Sequence, residues 1–294
     1  MNIFYLKSAG IINVAFKAIK IIIFRKILKH DFSINIGKNR FKCITWDTTA
    51  TDVYIRTMFI DRGLELIPFN FNKIHNTFID VGGHTGYYSI LLSNKFRKIF
   101  IFEPSLKCFD HLKIIRKPNY FLSNSFVGNK EGIVKVYEKN DGFAYSTNEN
   151  SRKFYNCELV TLDQRLNKEL VSFIKIDTDY HDYEVLLGAK NIIKNKTPII
   201  LVEECSDRVF KFFKNLNYNM YSMLVTDEQK PYNLTFTEIL EYKEKVNIKM
   251  LLCIPNKIPK FKNKFFKGNM FFGYNKIQID KYFKKIALTL EQYL

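Results

Sequence analysis

Four carboxylates punctuate the middle of this 294-residue chain, each at the end of an apolar run: Asp80, Glu103, Asp177 and Glu203. The first opens the segment Asp80-Val81-Gly82-Gly83-His84-Thr85-Gly86, and a helix-like stretch, Tyr87-Tyr88-Ser89-Ile90-Leu91-Leu92, follows at once. An acid, a glycine turn and a helix start together make a ligand site. Glycine has no Cβ, so backbone can approach a ligand closely, and the helix N-terminus supplies unpaired N–H donors.

The spacing selects the ligand. A pyrophosphate wants Gly-x-Gly-x-x-Gly before the helix, which Gly82, Gly83 and Gly86 do not keep. A phosphate-cradling loop would need Gly-Lys-Ser/Thr, which is absent. An acid just before the turn suits an ammonium group instead. Glu103 comes 17 residues after Gly86, at the end of the next apolar run, where a carboxylate can accept both hydroxyls of a ribose. A nucleoside bearing an amino acid, S-adenosylmethionine, fits both features. The expected cofactor-binding set is Asp80, Gly82, Gly83, His84, Gly86 and Glu103, with Ser125 near the end of the third strand and Asp177.

These residues need a scaffold that brings strand ends together. From Thr77 the pattern alternates strand and helix. Strands are predicted at 77–81, 98–102, 120–126, 173–177 and 198–202, and helices at 87–93, 106–115, 183–193 and from Ser206 or Asp207 through Phe213. Short extra strands at 133–137 and 158–161 flank a Gly/Asn/Ser-rich loop, 140–151. Segments 220–225 and 250–254 read as an antiparallel closing pair. Such alternation predicts a doubly wound α/β fold with a mostly parallel, seven-stranded sheet, its ligands at the carboxyl ends of the strands. Ahead of it, Ile11–Phe24 reads as an amphipathic helix, 32–47 as a hairpin, and the stretch through Tyr54, Ile55 and Met58 as a further helix. The expected organisation is an extension of helix and hairpin over 1–70, a catalytic domain over 71–256 and a basic aromatic tail over 257–294.

Composition bounds the setting. With 47% hydrophobic residues, a core can form without disulfides, and the five scattered cysteines have no metal-ligand or redox spacing, which places them as free thiols in a reducing, cytoplasmic compartment. The net charge of +17 is uneven. Lys7, Lys17, Lys20, Arg25, Lys26 and Lys29 precede the first acid, Asp31, and Lys257, Lys260, Lys262, Lys264 and Lys267 lie together near the other end. Such clusters attract polyanions: nucleic acid, anionic lipid or a phosphorylated substrate. The N-terminal apolar run carries Lys17 and Lys20 and has no cleavage site, so it is neither a signal peptide nor a membrane span. It can dock on its own domain, join a partner or lie on a membrane surface, which leaves a peripheral membrane contact through residues 1–30 open.

With these motifs placed, the chain resembles the FkbM family of S-adenosylmethionine-dependent methyltransferases over about residues 75–205. Asp80–Gly86 resembles the family's cofactor loop, Ile101-Phe102-Glu103-Pro104 its ribose segment, and Val160-Thr161-Leu162-Asp163 its Thr-Leu-Asp. The block Phe173-Ile174-Lys175-Ile176-Asp177 followed by Glu184-Val185-Leu186-Leu187-Gly188-Ala189 is the most distinctive part of the resemblance. The chain departs from the family at His84, where asparagine is usual. It departs again at Asp177-Thr178-Asp179-Tyr180-His181-Asp182, where the family reads Asp-x-Glu-Gly-x-Glu and so has glycine in place of Tyr180.

The resemblance implies methyl transfer to a hydroxyl of a sugar, glycan or related metabolite. Such an acceptor must lose a proton, so the expected catalytic residues are His181, Asp179 and Asp182, with His181 or Asp179 as base. Asp177, Asp179 and Glu203 are a weaker metal-ligand set for Mg²⁺. Amino-methylation would need an Asp/Asn-Pro-Pro-Tyr loop and cytosine methylation a Pro-Cys nucleophile, and neither is present. Lys175, Asp177 and Glu203 are a partial echo of the Lys-Asp-Lys-Glu set of RNA ribose methylation, so a nucleic-acid acceptor stays as an alternative. A binding module without activity is the other.

Overall fold

Buried β-branched and aromatic runs become strands, and three of the helices between them start at a serine or threonine whose side chain caps the first turn: Ser105, Thr161 and Ser206. The computed structural model describes residues 11–36, 39–43, 75–138, 144–145, 154–225, 234–239 and 250–257, with the single positions 47, 49, 61, 64 and 68. The helix expected through Tyr54, Ile55 and Met58, most of the loop 140–151 and the lysines from Lys260 onward lie outside these residues.

The first described elements are helix α1 (Ile11–Ile22), a π-helical turn (Ile23–Ile27) and a hairpin of β1 (Phe32–Ile36) and β2 (Asn39–Cys43). Then follow β3 (His75–Val81), α2 (Tyr87–Leu92), β4 (Phe96–Phe102), α3 (Leu106–Ile114) and β5 (Tyr120–Ser123). Next come β6 (Ser125–Val127), β7 (Gly132–Glu138), β8 (Ala144–Tyr145), β9 (Tyr155–Val160), α4 (Leu162–Leu166) and β10 (Val171–Ile176). The chain continues with α5 (Asp182–Gly188), α6 (Lys190–Lys196), β11 (Ile199–Val202), α7 (Asp207–Asn215), β12 (Tyr218–Val225), β13 (Leu234–Glu238) and β14 (Leu251–Pro255).

The main sheet runs β13-β12-β14-β11-β10-β3-β4-β5. Strands β11, β10, β3, β4 and β5 are mutually parallel, while β14 pairs antiparallel to both β11 and β12. The seven expected strands are present, and β13 adds an eighth at the edge. Chain order reverses between β3 and β10, so the carboxyl ends of β3, β4 and β10 open a crevice at the switch point. Register brings these ends level: Val81 pairs with Phe102 on one side and with Ile176 on the other. Ile79, Ile99, Ile174, Ile176 and Ile200 have no exposure, as strands covered on both faces require.

Two expectations change. The predicted strand 120–126 breaks at Asn124, whose amide donates to the carbonyls of Glu103 at 2.8 Å and Pro104 at 3.0 Å. Beyond the break β6 leaves the main sheet for a smaller one, ordered β6-β9-β7-β8, and takes Ser125 with it. The predicted helix 183–193 is two helices, because Asp163 accepts from the N–H groups of Asn191 and Ile192 at 2.9 and 2.8 Å and so caps the start of α6. The Thr-Leu-Asp segment thus starts two helices, since Thr161 accepts from Gln164 N–H at 3.3 Å to cap α4. Among the described residues no helix is long and apolar enough to cross a membrane.

Candidate active site

The loop after β3 is pinned by backbone. The N–H groups of Gly82 and Gly83 both donate to the Phe102 carbonyl, at 3.0 and 3.2 Å. Gly82 has φ +73°, and a Cβ there would lie 1.9 Å from the Asp177 carbonyl oxygen. At Gly83 it would lie 2.3 Å from Ile101 Cγ2. The glycines therefore serve the meeting of three strand ends, a role additional to the expected close approach to a ligand. Gly86 has φ +80° and stands at the N-cap of α2. His84 has φ +47°. That left-handed conformation is one asparagine and histidine both tolerate, so His84 is a conformational equivalent of the family's asparagine.

His84 also positions the acid of the next strand. Its N–H donates to Glu103 Oε2 at 2.6 Å, and Ser105 N–H donates to Oε1 at 2.8 Å. The carboxylate is buried, and burial pushes its pKa up to about 7 against the pull of those two donors. Each oxygen keeps a lone pair for a further donor.

Asp80 is fully buried. Ser89 Oγ donates to its Oδ2 at 2.6 Å, whereas Oδ1 has no hydrogen-bond partner. Burial raises its pKa despite Lys175, whose Nζ lies 3.9 Å from Oδ1. Register explains the pair, because Lys175 is the strand partner of Asp80. The Lys175 ammonium is buried, donates to the Gly82 carbonyl at 2.9 Å, meets Asp177 Oδ2 at 3.0 Å and lies 5.6 Å from the centre of the Tyr88 ring. Burial works to lower its pKa, but Asp177 and Asp80 outweigh that and hold it above the ordinary value. A lone lysine inside the apolar run Phe173–Ile176 was the sequence signal for this role.

These groups surround a cavity of about 1010 Å³ including its open mouth. Asp80, Gly82, Gly83, His84, Glu103, Ser125, Asp177 and Asp179 all line it. Thr49 and Asp61 line it too, from the N-terminal extension, which spacing alone gave no means of placing here. Asp61 accepts from Tyr88 OH, and Asp47 accepts from Thr85 Oγ1 at 2.9 Å. The extension thus grips the first turns after the glycine loop. Ser125 is buried and shares a hydrogen bond of 2.9 Å with Ser123 Oγ.

The block after β10 divides in function. Asp179 (φ +46°) and Tyr180 (φ +82°) are both left-handed, which accounts for the family's glycine at the Tyr180 position. Burial, then Asp177 and Asp182, raise the Asp179 pKa. Asp182 departs from its expected catalytic role. Its Oδ1 accepts from Thr178 N–H and Oγ1 at 2.9 and 2.6 Å, and its Oδ2 accepts from the N–H groups of Glu203 and Glu204 at 3.1 and 2.8 Å. With both oxygens doubly engaged, it is a clamp between the ends of β10 and β11. His181 stands at the N-cap position of α5 without a side-chain cap, packs edge-on against Phe126 with 5.1 Å between ring centres, and is not among the residues lining the cavity. Glu203 is hydrogen-bonded to Asp177, and burial and that neighbour push its pKa up to about 9. Among the described residues no three His, Cys, Asp or Glu side chains converge to hold a metal ion, so Asp177, Asp179 and Glu203, the weaker alternative raised from the sequence, do not form a ligand set.

The pair of acceptors fits S-adenosylmethionine, which brings an ammonium group and ribose hydroxyls. Asp80 Oδ1 is a buried acceptor without a hydrogen-bond partner, with Lys175 Nζ 3.9 Å away, and Glu103 is a fixed carboxylate at the cavity wall.

Residues 80–236, more than half the chain, match the methyltransferase FkbM domain family. Among solved structures, the chain is similar to methyltransferase FkbM from Methylobacillus flagellatus, with 13% identity and a TM-score of 0.42 over 61% of this chain and 43% of that one. It is similar to precorrin-6y C5,15-methyltransferase from Geobacter metallireducens, with 14% identity and a TM-score of 0.37 over 67% of this chain and 88% of that one. It is similar also to an rRNA methylase from Streptococcus thermophilus, with 12% identity and a TM-score of 0.35 over 65% of this chain and 92% of that one. No curated protein matches the sequence.

Proposed function

The chain belongs to the FkbM methyltransferase domain family, and on that premise we propose that it transfers a methyl group from S-adenosylmethionine to a hydroxyl of a sugar, glycan or related metabolite. The observation that carries the cofactor reading is Glu103, buried at the switch point and held by two backbone N–H groups with capacity left to accept hydroxyls. When bound, S-adenosylmethionine supplies an electrophilic methyl group on a sulfonium. Asp80 would receive its ammonium group and Glu103 its ribose hydroxyls, while Lys175 holds the loop between them.

The acceptor needs a base at the cavity. Asp179 lines it, and its raised pKa suits a carboxylate that takes a hydroxyl proton. His181 lies outside the lining and Asp182 is engaged by backbone donors. Asp179 is therefore the group proposed to accept the proton. Among the charged groups of the described residues lining the cavity, carboxylates predominate (Asp61, Asp80, Glu103, Asp177 and Asp179) and the lysine there, Lys175, is engaged by Asp177, which supports a small hydroxyl acceptor over an RNA phosphate backbone.

Two measurements test this. Calorimetry with S-adenosylmethionine separates an enzyme from a binding module, and absence of binding would sink the cofactor reading. Transfer of labelled methyl groups into fractionated cell extract identifies the acceptor class. Label appearing in RNA rather than in the glycan and small-molecule fractions would replace the acceptor proposed here.

A further inference from the structure

Residues 1–30 contain Lys7, Lys17, Lys20, Arg25, Lys26 and Lys29 and no acid. Within this stretch α1 and the π-turn present their apolar side the wrong way round for a water-soluble helix. Phe16, Ile19, Ile23 and Ile27 recur at i, i+3, i+7 and i+11, and all are exposed, from 39% at Ile23 to 73% at Phe16. Ile22 and Leu28 widen the stripe. The packed side is a different one: Ile21 is buried, and the Phe24 ring lies 5.1 Å from that of Phe32 on β1. A surface helix normally buries its apolar stripe and wets its charges. Here the stripe is outside, and Lys20, Lys26 and Lys29 are exposed beside it.

The occupant must satisfy both chemistries at once. Nucleic acid would pair with the lysines and leave six large apolar side chains in water. An apolar protein groove would cover those side chains and strand the cations. An anionic bilayer surface supplies phosphates for the lysines and an acyl boundary for the isoleucines. We infer that α1 and its π-turn dock this protein on an anionic lipid surface, lying in the plane of the headgroups with Phe16, Ile19, Ile23 and Ile27 buried. Among the described residues no helix is long and apolar enough to cross a membrane, so we place the segment on the surface. It is also coupled to the cavity: Phe41 of the following hairpin packs against Tyr87, the first residue of α2, with ring centres 5.7 Å apart. This surface is independent of the reaction proposed above.

The test is flotation of the full chain with vesicles of phosphatidylcholine, alone or mixed with phosphatidylglycerol. The chain should float with the mixed vesicles only, less so as salt rises. Ile19→Glu with Ile23→Glu should weaken this at least about tenfold. Lys20→Gln with Lys26→Gln and Lys29→Gln, all on exposed side chains, should weaken it about a hundredfold. Both variants should keep the parent's unfolding curve and S-adenosylmethionine affinity. Failure to float, or flotation unchanged by the lysine variant, would overturn the inference. So would a dimer that dissociates on the isoleucine changes, or RNA binding lost with the three lysines while vesicles are ignored.

Discussion

The ammonium of Lys175 donates to the carbonyl of Gly82 at 2.9 Å, across the junction of two parallel strands. One buried cation thereby fixes the loop and neutralises the two carboxylates beside it, Asp177 and Asp80, at 3.0 and 3.9 Å. Removing it leaves buried acids without a counter-charge. Lys175→Met should cost about 3–5 kcal/mol in denaturant unfolding and abolish cofactor binding in calorimetry. A variant that unfolds like the parent would show that Lys175 is not the centre of this network.

Gly82→Ala tests whether the glycine serves the fold. Its Cβ would meet the Asp177 carbonyl oxygen at 1.9 Å, in a left-handed conformation. Both partners are backbone and cannot step aside, so a loss of at least about 3 kcal/mol in stability is expected. Unchanged stability with weakened cofactor binding would return the glycine to a ligand-approach role.

Tyr180 makes the opposite case. It sits at φ +82° and is 85% exposed, so its side chain gives little packing in return for its strained backbone. Tyr180→Gly should raise stability by about 1 kcal/mol, read from chemical unfolding. If turnover then falls with cofactor affinity intact, the tyrosine also contacts the acceptor.

Asp182 and Asp179 should separate stability from chemistry. Asp182→Ala leaves four donors without their acceptor and should destabilise by about 2–4 kcal/mol. Asp179→Asn should preserve the melting temperature and S-adenosylmethionine affinity while lowering kcat about a hundredfold or more. Full turnover in the second variant would remove Asp179 as base.

The raised carboxyls fix the direction of the pH dependence. Glu103, at about 7, and Glu203, at about 9, hold protons in the folded chain that the unfolded chain has released above its ordinary value of 4.5. Stability therefore falls as pH climbs from 4.5 towards 9, with the Glu103 share lost by about 7. Glu203→Gln should flatten the upper part of that decline in melting scans. Cofactor affinity should move the other way, rising through neutrality as Glu103 ionises to accept hydroxyls, and Glu103→Gln should erase that rise in calorimetry.

Much of this molecule was legible in order along the chain. The alternation of buried strand runs and capped helices is local, so the doubly wound sheet and its acids at the strand ends follow from residue spacing. The departures lie where a distant partner intervenes. Asn124 ends a strand because carbonyls of Glu103 and Pro104 reach it, and α6 starts where Asp163 caps it. Spacing could not separate Asp179 from Asp182, three residues apart, because what distinguishes them is which neighbours' N–H groups arrive. Nor could it bring Asp47 and Asp61 to the glycine loop. The sequence by itself determined the strand ends, the glycine turn and the kind of cofactor they suit, because these depend on side-chain type at fixed local spacing. Tertiary structure decided which acids are open to a ligand and which are held as clamps, because burial and hydrogen-bond saturation are properties of what packs around a residue.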